Sequence, residues 1–336
     1  MYKIRLNDLY SAISKVQKLY IPELLNDHLK PFVEYKEDSS KAEKVRTFKD
    51  FFFPQTENLM DFKVEGKTIE VIDTREEKED FTVFGVRACD TRSLDILDRV
   101  FLVDPVDTYY KNRREHGTVI SVACTPDMMR ETCFCNTFGI DCADPNGDIC
   151  AYIENDDVYL EVKTEKGNEL IEKIKTYLAE CEDTPVWEIK TKIYKAKESL
   201  PLNGLNTDGI TPDKMNEYFK SEKWAELSEA CIGCGTCTFV CPTCQCYDIK
   251  DFDTGHGIKR FRCWDSCMYS DFTKMAHGNP RVSQLERFRQ RFMHKLVYYP
   301  ANNEGIFSCV GCGRCLSKCP ISMNIVKVMK ALKEDK

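Results

Sequence analysis

Apolar residues along the chain fall into two periods. Leu9, Ile13 and Val16 recur at helical spacing behind Asn7, which reads as the N-cap of a first helix. Strand-like runs follow at 67–72, 81–88, 118–123 and 158–162. Between the second and third of these, Ser93–Val103 places Leu94, Leu97 and Phe101 on one face of a crossover helix. Asn168–Leu178 is a second amphipathic helix. Strand–helix–strand order favours parallel pairing, so this part is expected to be an α/β domain over residues 1–200. Residues 201–212 (PLNGLNTDGITP) cluster Gly, Pro, Asn and Asp as a linker does. Beyond it, Ser283–Leu296 and Met323–Lys333 carry helical spacing, which predicts a predominantly α-helical domain over 213–336.

Composition narrows what this two-part chain can be. Its 336 residues suit two or three domains, and 42% apolar with 31% charged content is ordinary for a globular protein. A net charge of −7 argues against a nucleic-acid scaffold. No apolar run approaches the ~20 residues of a membrane span. The start, MYKIRLNDLYSAISKV, lacks the apolar core of a signal peptide, so a cytoplasmic protein is expected. Thiols stay reduced there, yet the chain has 19 cysteines, and metal binding is the first explanation. The charge is also uneven: residues 231–336 hold 16 Lys/Arg against 9 Asp/Glu, while residues 1–230 hold 32 against 46.

Cys231, Cys234, Cys237 and Cys241 precede Pro242, and Cys309, Cys312, Cys315 and Cys319 precede Pro320. Both are CxxCxxCxxxCP, the bacterial ferredoxin pattern for 4Fe–4S clusters. Two intervening residues let a tight loop aim three thiolates at three iron corners, and Gly233 and Gly311 relieve crowding where backbone nears the cluster. In two-cluster domains the fourth cysteine serves the other cluster. One cluster then takes Cys231, Cys234, Cys237 and Cys319, and the second takes Cys309, Cys312, Cys315 and Cys241. A zinc ribbon would show paired CxxC units instead. The 67 residues between the runs are too many for a compact ferredoxin of two short hairpins. Arg287, Arg289, Arg291 and Lys295 read as a solvated helix face, with a docking surface for an acidic partner as the sharper alternative.

Cys89 ends one predicted strand and Cys124 ends another, so parallel pairing would bring both to one carboxyl edge, where α/β sheets bind ligands. Cys133 and Cys135 follow closely, and these four thiols could converge on a third cluster, with Asp90 as a substitute oxygen ligand. Four separate buried thiols are the bland alternative. Cys244, Cys246, Cys263 and Cys267 read as small packing residues beside the clusters, with a further bound metal as the alternative. Cys142, Cys150 and Cys181 have no evident partner, and His116, His256, His277 and His294 share no ligand spacing. No dinucleotide fingerprint, phosphate loop or flavin site is evident, and neither are the paired CxxC ligands of a NiFe centre.

Several segments together resemble a known family: Val86–Asp90 (VRACD), Leu97–Phe101, Cys133–Cys135, CPTCQCYD at 241–248, WDSCMYSDF at 264–272 and RFRQRFMHK at Arg287–Lys295, with the two runs. From about residue 81 onward the chain resembles the iron–sulfur subunit of anaerobic sulfite reductase. It equally resembles the beta subunit of soluble NAD(P)-linked NiFe hydrogenases and related subunits of flavin-based electron-bifurcating complexes. The resemblance implies an electron carrier between a flavin subunit fed by NAD(P)H and a catalytic subunit, either a siroheme sulfite reductase or a NiFe hydrogenase. It implies that the eight run cysteines are ligands, and it matches Cys89, Cys124, Cys133 and Cys135 to cysteine positions; no role carries over to Cys263. A stand-alone ferredoxin-like carrier and an enzyme with an open iron at the third cluster are the competing classes. The N-terminal domain is expected to dock partners, and no catalytic residue is expected on the chain.

Overall fold

The computed structural model describes residues 1–36, 42–75 and 79–334. The chain forms two compact units: Met1–Phe52, Lys78–Asn206 and Val310–Gly313 make the first, and Phe53–Glu77, Thr207–Cys309 and Arg314–Lys336 make the second.

The first unit is built on a mixed sheet of nine strands among the described residues. At its centre Lys18–Pro22, Phe81–Val86, Gly117–Val122 and Ile149–Glu154 run parallel, and the outer strands add on antiparallel. Phe81–Val86 and Gly117–Val122 are buried at every position, as strands covered on both faces must be. One face packs Leu9, Ile13, Leu170 and Ile171 from the helices Leu6–Ser14 and Glu165–Ile174 against Phe84, Ile120 and Leu160. Another cluster gathers Val186, Ile189 and Ile193 of the helix Thr184–Glu198 with Tyr152 and Cys150.

The first helix starts at Leu6 and Arg5 takes the cap position, without a side-chain cap; Asn7 lies inside the first turn. The backbone explains the shift, because Leu6 N–H donates to the Asp156 carbonyl (2.9 Å) and needs no side-chain acceptor. The crossover helix spans Ala88–Phe101, beginning five residues earlier than its apolar stripe suggests. Cys89 therefore sits in the first turn of that helix rather than at the end of a strand. The strand Asp157–Val162 pairs antiparallel with Ile149–Glu154 through a tight hairpin, so the parallel expectation holds only at the sheet centre.

In the second unit the strand expected at 67–72 forms as Thr68–Asp73, in a four-stranded antiparallel sheet with Thr56–Glu65, Ile258–Trp264 and Tyr247–Asp253. The predominantly helical expectation for the ferredoxin part therefore gives way to a mixed α/β unit. Its sheet is pinned by Arg262, whose Nε donates to Glu57 Oε2 (2.8 Å), and by Trp264 Nε1 donating to the Phe53 carbonyl (3.1 Å). The helices Lys223–Glu229, Gln284–Met293 and Ile325–Glu334 complete the unit, with Trp224 edge-on to Phe288. Ser283 and Glu286 form a capping box at the start of the second of these. That helix continues through a π-helical turn at His294–Tyr298.

Candidate metal centres

In the second unit the first run opens a loop at Cys231 and closes it with the short helix Thr236–Phe239. Cys231, Cys234 and Cys237 line one cavity, and the fourth thiol on its wall is Cys319, from the other run. Cys241, the last cysteine of the first run, is not on that wall. Apolar side chains, Phe288, Phe292 and Met323 among them, fill much of the rest, with Arg291 as the charged member. Soft thiolates in an apolar shell suit an iron–sulfur group and exclude hard cations, which need oxygen donors. Cys234 is the exposed member; the Thr236 hydroxyl, 3.3 Å from its Sγ, holds its pKa below the usual thiol value. Burial pushes Cys237 up, against the pull of the Arg291 guanidinium.

Cys241 lies with Cys309 and Cys315 of the second run in a second thiol group of this unit. Cys241 and Cys309 face the Lys295 ammonium, and Cys315 has Cys241 as an electrostatic neighbour. The remaining member of the predicted set, Cys312, falls in the stretch Val310–Gly313 that belongs to the first unit. A hydrogen bond with Cys244 holds Cys241 well below the usual thiol pKa, with burial acting the other way.

The basic helix face stands as expected only in part, since Arg287 and Arg289 are half-exposed. Arg291 and Lys295 are each 3% exposed, so they are neither solvated nor a docking surface. Arg291 Nη2 donates to the Cys237 carbonyl (3.2 Å), and Lys295 Nζ donates to Thr243 Oγ1 (2.7 Å) and the Ser308 carbonyl (3.2 Å). Burial opposes both charges, but the surrounding thiolates outweigh it and both pKa values are raised. The excess of cations in the C-terminal part thus lies partly inside, against thiolates.

The first unit has a cysteine-lined cavity of its own. Cys89, Cys124, Cys133 and Cys135 all line it, together with Cys142, which sequence spacing did not single out, and with Cys312. Cys142 reaches this wall because its carbonyl accepts from Cys124 N–H (2.8 Å), and its Sγ is hydrogen-bonded to Cys135. Asp90, offered as an oxygen ligand, is buried and is not on the wall. Arg87 anchors the rim through the Leu25 carbonyl (3.2 Å) and His28 Nδ1 (3.0 Å). Burial pushes Cys124 up to about 12 despite that guanidinium. Gly311 is held at φ +59°, and a Cβ there would stand 2.3 Å from the Phe134 carbonyl oxygen. The glycine therefore serves a close approach of two backbones, sealed by Phe134 N–H donating to the Gly311 carbonyl (2.9 Å). Gly233, at φ +67°, meets only the Gln284 side chain, so its backbone angle is what demands glycine.

Among the packing cysteines, Cys246 and Cys267 are hydrogen-bonded to each other, which lowers Cys246 to about 7. Cys263 lies on the strand Ile258–Trp264 opposite Thr56. Cys150 is buried on the strand Ile149–Glu154 and pushed up to about 11 by that burial, and Cys181 is half-buried. Among the described residues no three His, Cys, Asp or Glu side chains converge on a single ion.

Residues 230–323 match the family model of a 4Fe–4S dicluster domain. Over 333 residues, 97% of this chain and 96% of the relative, the sequence is 31% identical to sulfhydrogenase 2 subunit beta of Pyrococcus furiosus. With a relative of this identity over nearly the whole length, the chain belongs to the sulfhydrogenase beta-subunit family of iron–sulfur proteins.

Proposed function

We propose that the chain is the electron-transfer subunit of a multi-subunit, hydrogenase-type oxidoreductase of the cytoplasm. Two 4Fe–4S clusters are held by Cys231, Cys234, Cys237 and Cys319, and by Cys309, Cys312, Cys315 and Cys241. A third is held at the sheet edge by Cys89, Cys124, Cys133 and Cys135. The observation that carries the reading is Cys319 on the wall of the cavity lined by Cys231, Cys234 and Cys237, the cross-run exchange of a dicluster protein. Bound there, such clusters supply one-electron transfer without bond-making on the polypeptide. The chain's part is to hold them: apolar side chains exclude water, and buried Arg291 and Lys295 offset thiolate charge. Among the described residues no helix is long and apolar enough to cross a membrane.

The partners are a flavin subunit that draws on NAD(P)H and a catalytic subunit, and the first unit is the docking domain. Of the two branches left open by sequence, likeness to a sulfhydrogenase subunit favours the hydrogenase over the sulfite reductase. The word subunit in that name likewise speaks against a stand-alone carrier. Purification from the native host tests this directly. A co-migrating NiFe subunit is expected; a siroheme subunit would overturn the hydrogenase branch, and a chain that migrates alone would overturn the subunit reading.

A further inference from the structure

Lys295 is the one buried lysine of the second unit among the described residues, and it bonds residues that flank both cysteine runs. Its ammonium donates to the Thr243 hydroxyl, two residues after Cys241, and to the carbonyl of Ser308, the residue before Cys309. Its own carbonyl accepts from Ser308 N–H (3.2 Å), so Ser308 is gripped from both sides. Thr243 Oγ1 donates to the Ser308 carbonyl (2.7 Å) and stands 3.2 Å from Cys241 Sγ, where either atom can be the donor. A hydroxyl has a single proton to donate. The Ser308 carbonyl also accepts from Lys295 and keeps that bond without the hydroxyl, whereas a ligating Cys241 is a thiolate that only accepts and competes for the Thr243 proton. Accepting from an ammonium polarises the Thr243 hydroxyl and strengthens what it donates.

Resting on the functional reading above, we infer that Lys295, acting through Thr243, is a positioning residue that raises the reduction potential of the second cluster, the one that shares Cys241 and Cys309. Reduction adds one negative charge, and a hydrogen bond to a ligand sulfur, backed by a buried cation, stabilises the reduced state more than the oxidised one. Arg291 lies four residues earlier on the same helical stretch, donates to the Cys237 carbonyl and lines the cavity of the first cluster. Arg291 is also hydrogen-bonded to Cys315 of the second set, so Arg291 faces both sites while Lys295 faces the second. Such an arrangement lets Lys295 offset one potential from the other, which a general basic surface could not do.

The test is an EPR-monitored redox titration of the full-length protein, purified without oxygen, with iron and acid-labile sulfide measured on every sample. In Lys295→Met one midpoint is expected to move to more negative potential while the others stay. A tenfold change in the reduced-to-oxidised ratio at fixed potential corresponds to about 59 mV for a one-electron couple. Thr243→Val is expected to move the same midpoint, and the double variant no further than the larger single shift. Thr243→Ser and Lys295→Arg should stay near wild type. Arg291→Met, which touches both sites, is expected to move more than one midpoint. If Lys295→Met loses iron, Thr243→Val and Thr243→Ser decide alone, since they leave the lysine in place. A loaded Lys295→Met or Thr243→Val protein with wild-type midpoints, or one in which all midpoints shift equally, overturns the inference. A wild-type chain without iron and sulfide overturns the functional reading, and the inference falls with it.

Discussion

Glu57 and Arg262 pair in the second unit with their side chains 5% and 4% exposed, and the guanidinium also lies over the Phe53 and Tyr247 rings. Removing one partner of a buried pair leaves the other charge without compensation, at a cost of about 3–5 kcal/mol. Glu57→Ala is expected to lower the urea midpoint accordingly, whereas Glu57→Leu with Arg262→Met should recover much of the loss. An additive double variant would contradict a mutual pair. The thiols permit an equally specific prediction. Cys319→Ser should deplete the cluster shared with Cys231, Cys234 and Cys237 while the EPR signal of the second persists; loss of the second signal alone would contradict the exchange of fourth ligands. The ligand runs are legible in sequence because their spacing is local, set by the loop that bears them. Cys142 is not, because it reaches Cys135 only after the chain folds back and Cys124 N–H finds its carbonyl. Nor could spacing show that Arg291 and Lys295 are internal, since a helical charge pattern reads alike on either face.

At the scale of elements, Ser283 closes a capping box with Glu286 on the helix that carries both buried cations. Ser283→Ala should destabilise the protein by about 1 kcal/mol. Thermal unfolding is expected to show a lower Tm with unchanged iron content, and an unchanged Tm would mean that tertiary packing alone fixes this helix start. Gly311→Ala faces both a left-handed backbone and the Phe134 carbonyl, so a larger loss of stability is expected than for Gly305→Ala, where nothing lies near. Two helices were legible because each buries a stripe, Leu170, Ile171 and Ile174 in one and Phe288 and Phe292 in another, whereas Thr184–Glu198 was not read from the sequence. The hairpin of Tyr247–Asp253 and Ile258–Trp264 was not. Its first strand is largely exposed, and Asp251 interrupts the alternation that a half-buried strand would show. Strand Lys18–Pro22 is short, and Tyr2–Arg5 pairs with partners more than 150 residues away, which no local window records.

For the whole molecule, most of the cysteines gather in two lined cavities and one further thiol group rather than scattering evenly, and the net charge of −7 hides cations buried against thiolates. That is the arrangement expected of a subunit that stores and passes electrons, and family membership over nearly the full length agrees with it. Cys89→Ser with Cys133→Ser should remove about four irons per chain if the sheet-edge cavity holds a cluster. Unchanged iron would return those thiols to a packing role and leave about eight irons on the two runs. The most direct measurement is the iron and acid-labile sulfide content of the chain purified without oxygen. About twelve of each per chain is the predicted result; a chain that carries zinc and no labile sulfide would contradict the account.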